Sequence, residues 1–159
     1  MDRYDRDAAV RYAATWALRR NPLYLNFDAL GGDCTNFASQ CLYAGTGEMN
    51  FTPVYGWYYQ NGYKRTASWT GVQYLYRFLV QNTGPGPRAR IVTAAEMAPG
   101  DLVQLGRATG VFYHSPIVVS VSGGQIFIAA HSEDCWMRNL SDYTYDQARF
   151  LKIFMGERP

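Results

Sequence analysis

The chain has 159 residues, of which 48% are hydrophobic and 18% charged, with a formal net charge of +2; this length makes one domain, residues 1–159, the default, and the composition excludes a disordered chain. Fifteen Lys and Arg against thirteen Asp and Glu give no electrostatic grip on a nucleic-acid backbone or an anionic bilayer, so no nucleic-acid partner is expected. No run reaches the roughly 18 apolar residues of a membrane span, and the opening Met1-Asp2-Arg3-Tyr4-Asp5-Arg6-Asp7 is too charged for a signal peptide, so the expectation is no membrane insertion and a cytoplasmic location by default.

Taken in chain order, residues 5–20 carry Ala8, Ala9, Val10, Tyr12, Ala13, Trp16, Ala17 and Leu18 without Gly or Pro, and Asp5 and Asp7 precede Arg19 and Arg20. This order of charges suits the helix dipole and predicts a first helix, stopped by Asn21-Pro22. Phe37, Ala38, Cys41 and Leu42 at three-and-four spacing predict a second helix over 34–44, with Asp33 as its cap and Gly45 as its end. Residues 46–67 hold Gly47, Pro53, Gly56 and Gly62 among many aromatics and fit no period; they read as a long aromatic excursion. Val72, Leu75, Tyr76 and Leu79 share one face of a third helix over 68–81, which the Gly84-Pro85-Gly86-Pro87 breaker follows.

Beyond the breaker the texture changes to β. Runs over 101–105, 117–121, 125–130 and 150–154 are short and rich in Val, Ile and Phe, and Ser122-Gly123-Gly124 is a hairpin turn. Helices first and antiparallel strands second make this an α+β domain rather than a series of βαβ units.

Three cysteines, Cys34, Cys41 and Cys135, cannot all pair within one chain, and their spacing matches no zinc pattern. Cys34 stands in the first turn of the second helix, where unpaired N–H groups and the positive end of the dipole favour a thiolate. That is a nucleophile's position; a buried, inert thiol is the alternative use of a free cysteine. The two histidines, His114 and His131, fall at the open end of the predicted hairpin, which sets them side by side. One imidazole there takes the thiol proton and the other orients the first. A metal site formed by the same three residues is the competing use, but no further ligand stands at suitable spacing, and no metal or other cofactor is expected. Asp33 reads as a helix cap, since a carboxylate beside a catalytic thiolate raises the thiol pKa. With 13 Tyr, 8 Phe and 4 Trp, some aromatics are expected to line a groove. Trp57 and Trp69 read first as core anchors, whereas an excursion folded over the cleft makes Tyr55, Trp57, Tyr58, Tyr59 and Trp69 a substrate wall.

The string Asp33-Cys34-Thr35-Asn36-Phe37-Ala38-Ser39-Gln40-Cys41-Leu42-Tyr43-Ala44-Gly45 resembles the putative amidase domain family, in the papain-like group that includes the NlpC/P60 and CHAP cell-wall hydrolases. Asn21-Pro22-Tyr24, Trp57-Tyr58-Tyr59, Ser68-Trp69-Thr70-Gly71-Val72, Pro99-Gly100-Asp101-Leu102-Val103-Gln104, His114-Ser115 and Ala130-His131-Ser132 extend the resemblance over nearly the whole chain. It implies a papain-like fold with N-terminal helices packed on a C-terminal antiparallel sheet. It also implies a triad of Cys34 as nucleophile, His114 as base and His131 as orienter, acting on peptide or muropeptide amide bonds. The Cys34 amide and, more loosely, the Tyr24 hydroxyl are the oxyanion donors. Pro116, two residues after the base, departs from the pattern. Two rival readings accompany this one: a glycan- or peptide-binding module with a silent triad, and an acyltransferase. A peptidoglycan substrate requires access to the wall or a spore by a route other than a leader.

Overall fold

In the computed structural model, which describes residues 2–156, the chain opens on a helix that its own sequence caps. Asp5 precedes α1 (Arg6–Trp16) and its carboxylate accepts the Ala8 N–H, one of the amide donors that a helix start leaves unpaired. The helix ends at Trp16, short of the predicted boundary. One reason is the Trp16 carbonyl, which accepts hydrogen bonds from the Arg19 N–H and from a distant histidine ring, His131 Nε2 at 2.8 Å. Ala9 and Ala13 are buried, and α1 packs on α2 (Cys34–Thr46) through that small-residue face.

The end of α2 also differs from expectation. Gly47, at φ 66°, takes the left-handed cap and donates its N–H to the Tyr43 carbonyl, while Gly45 lies inside the helix beneath the ring of Tyr4. The predicted third helix is two. Gly71 is extended (φ −114°, ψ 129°) and separates the single turn α3 (Ala67–Thr70) from α4 (Val72–Gln81). Within the aromatic excursion a small hairpin forms from β1 (Tyr59–Asn61) and β2 (Lys64–Arg65).

The remaining strands are β3 (Arg88–Val92), β4 (Leu102–Gly106), β5 (Phe112–His114), β6 (Ile117–Ser122), β7 (Gln125–Ala130), β8 (Cys135–Asn139) and β9 (Gln147–Phe154). They form one antiparallel sheet in the order β3-β9-β4-β6-β7-β8, with β5 also paired to β4. Gly123 and Gly124, both at positive φ (59° and 76°), make the two-residue turn between β6 and β7. Of these strands, β3, β5 and β8 have no counterpart among the sequence-predicted runs. The architecture is α+β, with helices against one face of an antiparallel sheet.

Both faces of that sheet are covered. Leu102, Ile117, Ala129, Leu151 and Ile153 join the core shared with the helices, whereas Val103, Leu105, Val118, Ile128 and Ala130 build a second core on the other side with Met97 and Leu140. Burial on both sides is why β4 is buried at every position and reads as a nearly unbroken apolar run. Between the helices and the sheet lies α2. Its residues from Cys34 to Leu42 are all buried, polar ones included, so it is an interior helix rather than a surface helix with one apolar face.

A Cβ at position 45 would stand 2.3 Å from Tyr4 Cε1 and 2.8 Å from the Asp5 carbonyl oxygen. Gly45→Ala is therefore expected to force α1 and α2 apart and to cost about 2 kcal/mol or more by overpacking, read as a lower urea midpoint with unchanged slope.

Candidate functional site

Cys34 is the first residue of α2, where backbone N–H groups have no partner within the helix. Its side chain is buried. The Sγ lies 3.7 Å from Thr35 Oγ1 and 3.9 Å from the Tyr113 carbonyl oxygen, and the backbone N–H groups of Ser115 and Thr35 are directed at it. The sulfur thus meets the backbone on both sides of His114, at Tyr113 in β5 and at Ser115 just beyond it. Burial pushes the thiol pKa up; the Thr35 hydroxyl and the two N–H groups oppose that, and the Asp33 carboxylate adds to it. At rest Cys34 is a neutral thiol in a site already supplied with donors for its anion.

Asp33 has a different role from the one expected. Its carboxylate caps no N–H of α2. Instead Oδ1 accepts the Phe27 N–H at 2.8 Å and the Asn36 amide at 2.9 Å, while Oδ2 meets His131 Nδ1 at 2.5 Å. Burial pushes the Asp33 pKa up, but the hydrogen bonds from His131, Asn36 and Phe27 outweigh it and hold the carboxyl below its ordinary value. Arg20 Nε stands 3.5 Å from the same carboxylate, and the guanidinium also pairs with Asp28 and Asp134.

This pairing settles the geometry of His131. Its Nε2 faces the Trp16 carbonyl oxygen at 2.8 Å and its Nδ1 faces the Asp33 carboxylate. Both ring nitrogens are occupied, and the ring is stacked on Phe37 with centroids 4.0 Å apart. The side-by-side arrangement of the two histidines expected from the hairpin is not what the structure contains. His131 follows Ala130, which points into the second core, and by strand alternation its own ring turns toward the helices. His114 stands directly across β4 from Leu105, another residue of the second core, and shares that face; its ring contacts Tyr143 with centroids 5.6 Å apart. The two rings emerge on opposite faces. Among the described residues His114 has no hydrogen bond, and Cys34 has none to it.

The aromatic wall is corrected as well. Trp57, Trp69 and Tyr59 are core residues: Trp57 Nε1 donates to Ser39 Oγ, Trp69 Nε1 to Asn36 Oδ1, and the Tyr59 hydroxyl accepts the Leu25 N–H. The two indoles satisfy the buried polar face of α2, which is why they point inward. Tyr58 is half-buried against Phe51. Tyr55 is exposed and lines a cavity of about 480 Å³ with Tyr74 and Arg77; Cys34, His114 and His131 are not in its lining. Asn50, also in that lining, lies beyond the C-terminal end of α2, roughly 20 Å of helix from Cys34. Tyr24 is packed on Tyr59 and Trp69, and burial pushes its phenol up to about 12.

Cys41 is buried in the core and Cys135 Sγ lies 3.4 Å from the Tyr143 hydroxyl; all three thiols are free. Among the described residues no group of three or more His, Cys, Asp or Glu is arranged to hold a metal ion, and no helix is long and apolar enough to cross a membrane. Sequence reasoning gave no role to Thr35, Ser115 or Gln104, which the structure joins in hydrogen-bonded contact behind the sulfur. The available signal was Gln104, a polar residue inside the apolar run Leu102 to Leu105.

Comparison with known proteins gives the family. A family model described as "Putative amidase domain" matches residues 3–154. Over 141 residues the chain is 38% identical to the uncharacterized protein YhbB of Bacillus subtilis (strain 168), an alignment covering 85% of this chain and 43% of that relative. The chain therefore spans less than half the length of the curated relative it matches. No solved structure matches it.

Burial, with a smaller contribution from Arg138, lowers the His114 pKa from 6.5 to about 4. Below pH 6.5 the unfolded chain binds a proton that the folded chain refuses, so this contribution to stability is complete above pH 6.5 and is lost as pH falls toward 4. The loss amounts to about 3 kcal/mol. Urea melts across this range should show that slope in the wild type, and His114→Gln should flatten it.

Proposed function

The chain belongs to the putative amidase domain family, and from that premise we propose that it is a cysteine-dependent amide hydrolase of papain-like fold. The observation that carries the reading is the position of Cys34: the first residue of a buried helix, its sulfur touching the carbonyl of Tyr113 and directed at by the N–H of Ser115, the two neighbours of His114. His114 is neutral at pH 7, the state a general base requires.

In the reaction His114 takes the Sγ proton as the sulfur attacks the carbonyl carbon, forming the C–S bond and an oxyanion. The Cys34 amide, unused at the helix start, and the Tyr24 hydroxyl are the proposed donors to that oxygen. His114 then returns the proton to the leaving nitrogen, the C–N bond breaks, and water hydrolyses the thioester to restore the thiol. For this transfer the end of β5 has to shift so that the His114 ring leaves Tyr143 and comes round to the face of the sulfur; a ring contact holds it at rest, with no side-chain hydrogen bond to break. His131 enters as a positioning residue that fixes Asp33 and the start of α2, a different part from that of orienting His114 directly. The substrate class is a peptide or muropeptide amide, and an amine in place of water makes the same acyl-enzyme a transferase intermediate.

One observation favours a second reading, a peptide- or glycan-binding module on the same fold: in the resting geometry the base is not bonded to the nucleophile. Turnover separates the two. With synthetic peptide amides and muropeptide fragments, the wild type should release amine, Cys34→Ala should release none, and His114→Ala should be slower by roughly 10²–10⁴-fold. The wild-type rate should fall as pH drops through about 4, where His114 takes up its proton. Full activity in Cys34→Ala refutes the cysteine mechanism, and tight binding without turnover in the wild type selects the binding module.

A further inference from the structure

Behind the sulfur runs a series of hydrogen bonds whose direction can be worked out from its far end. Arg149, on β9, is held between the rings of Tyr76 and Phe112, 3.5 and 3.8 Å from their centroids. Its partners are side-chain amide oxygens rather than a carboxylate. Nε and Nη2 donate to Gln104 Oε1 at 2.8 and 2.6 Å, and Nη2 also donates to Gln73 Oε1 at 3.0 Å. A guanidinium has only donors, so the oxygen of the Gln104 amide has to face it.

The nitrogen of that amide then faces the other way and donates to the Val72 carbonyl oxygen at 3.0 Å and to Ser115 Oγ at 3.1 Å. Ser115 is 1% exposed, and the acceptor in contact with its own hydroxyl is Thr35 Oγ1, at 3.2 Å. A buried O–H left unused costs as much as a lost hydrogen bond, so Ser115 donates to Thr35. Thr35 is equally buried, and with its oxygen accepting from Ser115 its remaining hydrogen has Cys34 Sγ as acceptor, at 3.7 Å. The thiol hydrogen is accommodated separately by the Tyr113 carbonyl. Every hydrogen along the path points toward the sulfur.

We propose that Thr35 is a catalytic residue whose hydroxyl donates to the Cys34 thiolate, and that Arg149, Gln104 and Ser115 are positioning residues that fix the direction of that donation. The proposal rests on the reading of Cys34 as the nucleophile. No bond of Thr35 is made or broken: as His114 removes the thiol proton, the Thr35 hydrogen bond stays on the sulfur that has become negative, and it weakens as charge passes to the carbonyl oxygen. A charge-assisted hydrogen bond is stronger than its neutral counterpart, so the donor favours the thiolate over the thiol. The charged group acting at the sulfur is Asp33, paired with His131 and Arg20, and the nearest titratable residue along the strand is His114, whose two chain neighbours contact the sulfur. None of them is altered in the variants below.

The test is alkylation of the full chain by iodoacetamide over roughly pH 6 to 10, with each cysteine read by peptide mass spectrometry and folding checked by circular dichroism. Thr35→Val removes the donor at nearly constant volume and should move the Cys34 midpoint up by about one pH unit, a roughly tenfold slower reaction at a fixed pH below it. Thr35→Ser should restore the wild-type midpoint. Gln104→Glu places an acceptor where the amide donated, so Ser115 turns to residue 104, Thr35 turns to Ser115, and the sulfur loses its donor; the Val72 carbonyl loses one as well. Its Cys34 midpoint should rise as in Thr35→Val, with Cys135 unchanged as internal reference. A folded Thr35→Val or Gln104→Glu chain with the wild-type Cys34 midpoint overturns the proposal, and either variant alone decides it. The hydrolase reading fails by a different result, turnover retained in Cys34→Ala, which leaves these midpoints where they are.

Discussion

The structure depends on the burial of α2 from Cys34 to Leu42. A helix enclosed on all sides has to find protein partners for every polar group it carries, including those of its first turn. Asp33, Asn36, Ser39 and Gln40 are all at most 3% exposed, and each has a defined partner: His131 for Asp33, the Trp69 indole for Asn36, the Trp57 indole for Ser39 and the Tyr12 hydroxyl for Gln40. A buried pair such as Asp33 and His131 gains little net stability once desolvation is counted, but removing one partner leaves a costly unpaired charge. Its effect is to determine position. Through Asp33 and Trp16 it ties the end of α1, the start of α2 and the end of β7 together, and Cys34 is the next residue along the chain.

The same burial shapes the chemistry. In a dry site an ionised thiolate and an imidazolium both lose hydration, and the directions of the two pKa shifts, up for Cys34 and down for His114, say that both groups rest neutral. A neutral pair is consistent with the absence of a hydrogen bond between them at rest. In the proposed reaction charge has to be created, and there fixed donors matter more than in water because they need not reorganise. The two N–H groups and the Thr35 hydroxyl at the sulfur are such donors, two of them on α2 and the third on Ser115, in the two-residue link between β5 and β6.

How much of this was legible follows from how local each signal is. The start of α2, the Gly123-Gly124 turn and the buried strands β4, β6 and β7 are written in short-range pattern, and the sequence reading places them within a residue or two. β3 and β8 carry Arg88, Arg90 and Arg138 at the edges of the sheet, and β5 has three residues, so hydrophobic periodicity is silent about them. The break at Gly71 lay in plain view, yet an isolated glycine within a helical pattern is ambiguous. His131 was recognised as special, but its partner is 98 positions away, and local sequence has no access to a pairing at that range. The hydrogen-bonded path from Arg149 to Thr35 crosses three elements and is invisible for the same reason.

The aromatic content shows how a compositional inference goes astray. Thirteen tyrosines, with eight phenylalanines and four tryptophans, raise the expectation of an aromatic-lined groove. That reasoning assumed an apolar core. An interior helix with a polar surface calls for side chains that are large and apolar in the ring and polar at the tip, a combination only Tyr and Trp supply. Tyr4 reaches the Gly100 carbonyl, Tyr12 reaches Gln40, Tyr59 receives the Leu25 amide, and the two indoles serve Asn36 and Ser39. Tyr76 and Tyr143 lie under guanidinium groups, of Arg149 and Arg138 respectively, each placing its ring against a cation. Tyr12 and the two indoles are thus the counterpart of the buried polar helix, and the other tyrosines named satisfy backbone groups or cations elsewhere in the fold.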